Sequence, residues 1–262
     1  DKIMIGGFIL EDGPAKVMIR ARGPSLPEAQ VPNRLVDPRV RLIRMSDAAE
    51  VAANDNWVDS PQQAAIAADP LRPADPREAA IIADLPEGAY TALVDGAGGA
   101  RGIGLVEVFW LSGEGRLKNI STRAGVRLGD EVMIGGFIVR DAPIEVAIRA
   151  RGPSLPAQAV ADRLMNPTMQ LFSGQTLLAE NDDWGQAPNA GVIATDPLKP
   201  QEPREAMIVT TLQPGEYTAI VRGVGGTTGI GLVEVFKRTA ANTPGLLGGL
   251  DRLDRALRWP RP

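Results

Sequence analysis

The stretch Val17-Met18-Ile19-Arg20-Ala21-Arg22-Gly23-Pro24-Ser25-Leu26 alternates Val17, Ile19 and Ala21 with Met18, Arg20 and Arg22, then runs into a Gly-Pro-Ser turn. Alternation at period two predicts a β-strand with one aliphatic face and one Arg-bearing face. The same pattern returns 129 positions later as Val146-Ala147-Ile148-Arg149-Ala150-Arg151-Gly152-Pro153-Ser154-Leu155. Outward from it, Met4-Ile5-Gly6-Gly7-Phe8-Ile9 recurs at Met133 to Ile138 with the same offset. Asn54-Asp55-Asn56-Trp57, Pro76-Arg77-Glu78-Ala79 and Gly102-Ile103-Gly104-Leu105-Val106-Glu107-Val108-Phe109 recur with an offset of 127, as Asn181-Asp182-Asp183-Trp184, Pro203 to Ala206 and Gly229 to Phe236. A two-residue length change therefore lies between Leu42/Leu171 and the Asn-Asp segments, where a hairpin turn tolerates it.

A period near 128 residues is far longer than a solenoid repeat, so each copy is expected to be a complete domain with its own core. The expected boundaries are residues 1–116, then 117–238 with 117–129 as a connecting strand, then a tail over 239–262. Residues 3–10, 39–45, 78–84, 89–95 and 102–110 also read as strands between Gly, Pro and Asp clusters. Residues 60–75 read as a Pro-punctuated crossover with one helical turn at 62–68. Short strands with frequent turns predict an all-β chain of two tandem antiparallel β-sandwiches, Ig-like or jelly-roll-like, with a short C-terminal helix.

Hydrophobic residues at 44% supply enough apolar material for two cores, and charged residues at 23% give no signature of disorder. The chain has no His and no Cys. That removes Ser-His-Asp and Cys nucleophile chemistry, the usual zinc sites, iron–sulfur clusters and disulfides. A net charge of −4 gives no general attraction to nucleic acid. No apolar run is long enough for a transmembrane helix. The absence of Cys fits an exported bacterial protein, and the start at Asp1 fits a processed or trimmed form.

Several clusters invite chemistry. The glycine run from Gly96 to Gly102, echoed from Gly223 to Gly229, leads into a strand rather than a helix, so it is read as hairpin glycines and not as a phosphate loop. Asn54, Asp55 and Asn56, with Asn181, Asp182 and Asp183, supply oxygen atoms of the kind Ca²⁺ takes; Asx-turns over a packed Trp57 or Trp184 are the alternative. Arg20, Arg22 and Glu107, matched by Arg149, Arg151 and Glu234, are expected to form a structural Arg–Glu network, with Arg77, Glu78, Arg204 and Glu205 as further members. A pair of catalytic carboxylates is the sharper alternative there. In the tail, Leu246, Leu250, Leu253 and Leu257 fall on one helical face, and with Trp259 they are the candidate partner-docking residues.

The combination Asn119-Ile120-Ser121-Thr122-Arg123, Gly135-Gly136-Phe137-Ile138, Arg149 to Leu155, Asn181-Asp182-Asp183-Trp184 and Gly215-Glu216-Tyr217-Thr218-Ala219-Ile220-Val221 resembles a tandem β-sandwich repeat of secreted and cell-surface bacterial proteins. The closing half of each copy is loosely similar to pre-peptidase C-terminal domains. The resemblance implies an exported, non-catalytic β-sandwich. In that repeat the Asn-Ile-Ser-Thr-Arg strand precedes the Gly-Gly-Phe strand, and the first copy shows none before Asp1. The first domain is therefore expected to be one strand short, to be completed by another chain or by the tail. The expected function is a structural or interaction subunit of an extracellular or cell-surface assembly, a homo-oligomer, polymer or larger complex. The alternative is an accessory module binding Ca²⁺ or glycan.

Overall fold

A computed structural model gives the fold, describing residues 3–29, 31–129 and 131–238. The docking residues Leu246, Leu250, Leu253, Leu257 and Trp259, and the C-terminal helix expected there, lie outside the described residues. The chain divides into two compact units, Asp1–Lys118 and Asn119–Pro262. Both are all-β with antiparallel strand pairs, each with one short α-helix among the described residues.

In the first unit, β1 (Met4–Glu11), β2 (Ala15–Arg22), β3 (Pro38–Arg44) and β4 (Ala49–Asn54) precede α1 (Gln63–Ala68). They are followed by β5 (Ala79–Leu85), β6 (Gly88–Gly96) and β7 (Leu105–Gly113). One sheet has the order β4-β3-β6-β1 and the other β5-β2-β7. The strand β8 (Arg116–Val126) leads into the second unit, where β9 (Met133–Val139), β10 (Ile144–Arg151), β11 (Pro167–Ser173), β12 (Thr176–Asn181), α2 (Ala190–Ala194), β13 (Ala206–Leu212), β14 (Gly215–Gly223) and β15 (Gly229–Arg238) repeat the series. Here the sheets are β12-β11-β14-β9 and β13-β10-β15-β8.

The alternating pattern of β10 explains the core. Val146, Ile148 and Ala150 point between the sheets and meet Met169, Leu171, Tyr217 and Val221 from the facing sheet in one buried cluster. Arg149 and Arg151 take the opposite face. Tyr217 stacks on Phe137 at 5.5 Å between ring centres, and its hydroxyl donates to the Gln213 carbonyl at 2.8 Å. Tyr90 does the same with Phe8 and Pro86. Each hydroxyl thus keeps a partner while its ring fills the core. Gly6 and Gly135 let the two sheets approach, because a Cβ at either would sit 3.0 Å from Val106 or Val233 of the facing strand.

The length difference between the copies lies in one hairpin: four residues join β3 to β4, and two join β11 to β12. Two expectations need correction. The glycine runs are not hairpin turns, since β6 and β7 belong to different sheets, as do β14 and β15; each run carries the chain from one layer to the other. Their positive φ is real, at Gly98, Gly99, Gly225 and Gly226. The strand expected at 102–110 is β7, displaced to Leu105–Gly113: its counterpart β15 starts at Gly229 because Gly229, Ile230 and Gly231 pair with Val126, Gly125 and Ala124 of β8, and among the described residues no strand stands beside Gly102, Ile103 and Gly104 to do the same. The strands β4 and β12, not anticipated, are mostly exposed edges. Among the described residues no helix is long and apolar enough to cross a membrane.

Candidate functional site

Pairing of β10 with β15 places Arg149 opposite Glu234, and pairing of β2 with β7 places Arg20 opposite Glu107. In the second unit Arg149 donates to Glu234 from Nε at 2.6 Å and from its terminal nitrogen at 3.1 Å, and Arg151 approaches the same carboxylate at 3.7 Å. Arg149 also donates to the Leu198 carbonyl at 2.8 Å and lies over the Phe236 ring. The first unit repeats every contact: Arg20 to Glu107 at 2.5 and 2.9 Å, Arg22 to Glu107 at 3.8 Å, Arg20 to the Leu71 carbonyl, and Arg20 over Phe109. The expected Arg–Glu network is thus brought together in both copies.

Arg77 does not join it, and Glu78 is linked to it through Ser25, whose hydroxyl accepts from Arg22 Nε at 3.0 Å and donates to Glu78 at 2.6 Å. Arg77 pairs with Asp75 at the surface. Glu78, fully buried, accepts from the backbone N–H groups of Gly23 and Ser25, both at 3.0 Å. Glu205 does the same for Gly152 and Ser154 at 2.9 Å. These carboxylates hold the Gly-Pro-Ser turn in shape. The only sequence signal for that role was the joint recurrence of Gly-Pro-Ser and Pro-Arg-Glu in both copies.

Burial alone would push the Glu234 carboxyl up, but the charges of Arg149 and Arg151 and their hydrogen bonds outweigh it and hold the group below its usual range. A carboxyl depressed in the folded state stabilises the fold above its unfolded pKa and loses that contribution as pH falls through the folded value. Stability of the second unit is therefore expected to decline through the acid range below about the ordinary carboxylate pKa of 4.5, with a shallower decline in Glu234→Gln. Hydrogen exchange of the β10 and β15 amides against pH checks this.

The Asn-Asp segments are structural clips. The Asn54 side-chain oxygen accepts from the Ala80 N–H at 2.9 Å while its nitrogen donates to the Asn56 carbonyl at 3.0 Å, tying edge strand β4 to β5. Asn181 ties β12 to Met207 at 2.8 Å and donates to Asp183 at 2.9 Å. Burial pushes the Asp55 carboxyl up, with the charge of Asp37 adding to it, and burial with Asp183 does the same for Asp182. Among the described residues no group of three or more acidic side chains is placed to hold a metal ion. Asn54→Ala and Asn181→Ala are each expected to cost about 1–3 kcal/mol, the loss of bonds to buried N–H groups. The loss should be the same with and without millimolar Ca²⁺ in a thermal melt. Trp57 is buried, its indole N–H donating to the Asp75 carbonyl at 3.0 Å, and Lys199 lies over the Trp184 ring.

The two copies differ at one edge. In the second unit β8 lies along β15, with Asn119 opposite Phe236, Ile120 opposite Val235, Ser121 opposite Glu234 and Arg123 opposite Leu232. In the first unit β7 ends its sheet, and among the described residues no strand pairs with its outer edge. The consequence is seen residue by residue. Leu232, Val233, Glu234, Val235 and Phe236 are buried, whereas the same residue types at Leu105, Val106, Glu107, Val108 and Phe109 are only half-buried. Side-chain exposure is 2% at Glu234 and 19% at Glu107, and 8% at Arg151 against 24% at Arg22. Trp110 of β7 is 39% exposed. A half-exposed apolar edge strand without Pro or Lys is a template for pairing, not a protected edge. A scan against protein-family models finds no match to this chain, and no curated protein matches it.

Proposed function

We propose that the chain is a non-catalytic structural or interaction subunit of an extracellular bacterial assembly, such as a filament, appendage or surface layer, joined to its neighbours by strand completion. The single observation that carries this reading is the outer edge of β7, which no strand pairs among the described residues and whose residue types are those that lie buried along β8 in the second unit. A non-catalytic role is supported by where the recurring carboxylates are spent: Glu107 and Glu234 on paired arginines, Glu78 and Glu205 on backbone N–H groups. The extracellular setting rests on the resemblance of the repeat to those of secreted and cell-surface proteins.

The test is native-mass analysis of the secreted and envelope fractions of the producing cells. The protein is expected in complexes well above the mass it shows as a single chain under denaturing conditions in the same fractions, with negative-stain images showing regular particles. Recovery only at the mass of the single chain overturns the reading.

A further inference from the structure

Resting on that reading and naming its partner, we infer that the outer edge of β7 accepts an extended segment of the β8 pattern, Asn-Ile-Ser-Thr-Arg, supplied from outside residues 1–262. The second unit contains the bound form of the same site. There Ile120 and Ala124 pack on the core and Val126 is part of it. Asn119 is 2% exposed and its side chain donates to the Val235 carbonyl at 3.1 Å. Because Leu105 to Phe109 repeat Leu232 to Phe236, the incoming segment has a defined antiparallel register: its Asn opposite Phe109, its Ile opposite Val108, its Ser opposite Glu107, its Arg opposite Leu105. The Val108 carbonyl is the acceptor for its Asn.

Main-chain ladder bonds supply affinity in such strand addition, and pockets for alternate side chains supply selectivity. Ile, Thr and Ala at alternate positions of the segment face the sandwich; a charged residue at the Ile position is excluded. The count of strands identifies the source. Asn-Ile-Ser-Thr-Arg occurs once in the chain, and that copy is engaged on β15. If β8 of a second copy moved to β7, it would open its own β15, so exchange among copies of residues 1–262 leaves one edge per chain unpaired. The tail over residues 239–262 has no such pattern.

The test uses the full chain and a fluorescent peptide with the sequence of residues 116–126. Saturable binding at one peptide per chain is expected, with new hydrogen-exchange protection confined to β7 and its neighbours. A peptide N-methylated at the positions of Ile120, Ser121 and Thr122, which cannot form the ladder, and one with Ile120→Asp should each bind at least about tenfold more weakly, equivalent to a loss of about 1.4 kcal/mol. Equal binding of a scrambled peptide, or no binding of the native sequence, overturns the proposal. So does β7 protection already present without peptide, whether it disappears on truncation after Arg238, which makes the tail the occupant, or on dilution, which makes it a second copy. The outcome is separable from that of the native-mass analysis: a chain that binds the peptide but is recovered only as a single chain fails the assembly reading alone. A large native complex with a β7 that ignores the peptide fails this inference alone.

Discussion

Glu234→Ala is expected to destabilise the second unit by about 3–5 kcal/mol, and Glu107→Ala to cost the first unit much less, although the two residues make the same contacts. Glu234 is 1% exposed and is the anion shared by Arg149 and Arg151. Removing it leaves the Arg149 guanidinium without its anion in a site closed to water, while Arg151 retains its bond to the Ser154 hydroxyl at 2.9 Å. Arg149 keeps only the Leu198 carbonyl and the face of Phe236, and the two cations repel at low dielectric. At Glu107 water reaches the carboxylate and Arg22, so the freed cations are solvated and the penalty falls toward that of a surface pair. Denaturant melts of each variant, with hydrogen exchange to assign the loss to a unit, measure both numbers. Equal losses would mean that the edge over β7 is covered in solution.

That asymmetry marks the limit of what the residue pattern could convey. The strands β2 and β10 were legible because Val, Ile and Ala alternate with Arg at period two, and the Arg-bearing face led directly to Glu107 and Glu234. The strand β4, Ala49–Asn54, was not, because Ala and Val next to Glu50 offer little contrast between faces, and the strand is an exposed edge. The early start assigned to β7 failed because local propensity extends over Ile103, while strand pairing there depends on a neighbour: Ile230, with the same backbone bonds, stays in β15 because Gly125 of β8 lies opposite it. Asn54 and Asn181 were recognised as special, with oxygen donation to a cation and an Asx-turn both open. An amide oxygen suits a cation as well as a backbone N–H, and the N–H groups it meets, those of Ala80 and Met207, lie 26 residues away on another strand, beyond any local pattern. Leu-Val-Glu-Val-Phe is identical in β7 and β15, so its own residues hold no information about whether a strand lies beside it. That information sits in Asn119 to Arg123, through what β8 covers in one copy and nothing described covers in the other.

The glycines of the two Gly-Pro-Ser turns should be as intolerant as Glu234, for a steric reason. Gly23 and Gly152 do not have the positive φ that would require glycine; what they lack is room. A Cβ on Gly23 would lie 1.8 Å from the Leu35 carbonyl oxygen, and one on Gly152 would lie 1.8 Å from that of Leu164. The obstructing atoms are backbone, and they are held in place. Leu35 donates to the Ile103 carbonyl at 2.9 Å and Ile103 donates to Asn33 at 2.7 Å; Leu164, Ile230 and Asp162 repeat the arrangement at 2.9 and 2.6 Å. Glu78 and Glu205 fix the other side of each turn through its N–H groups. Relief of the clash must therefore break either the bridge to the start of β7 or β15, or the buried carboxylate's bonds. Gly23→Ala and Gly152→Ala are each expected to cost about 3–5 kcal/mol, at the upper end for a single added methyl group. The same change at Gly191, which sits in α2 with open space where its Cβ would go, should instead stabilise the second unit by about 0.5–1 kcal/mol. Opposite signs for one chemical change, read from paired denaturant melts, would establish that backbone contact and not turn conformation holds these glycines. A small loss at Gly152 would show that the segment carrying Leu164 gives way more easily than its hydrogen bonds imply.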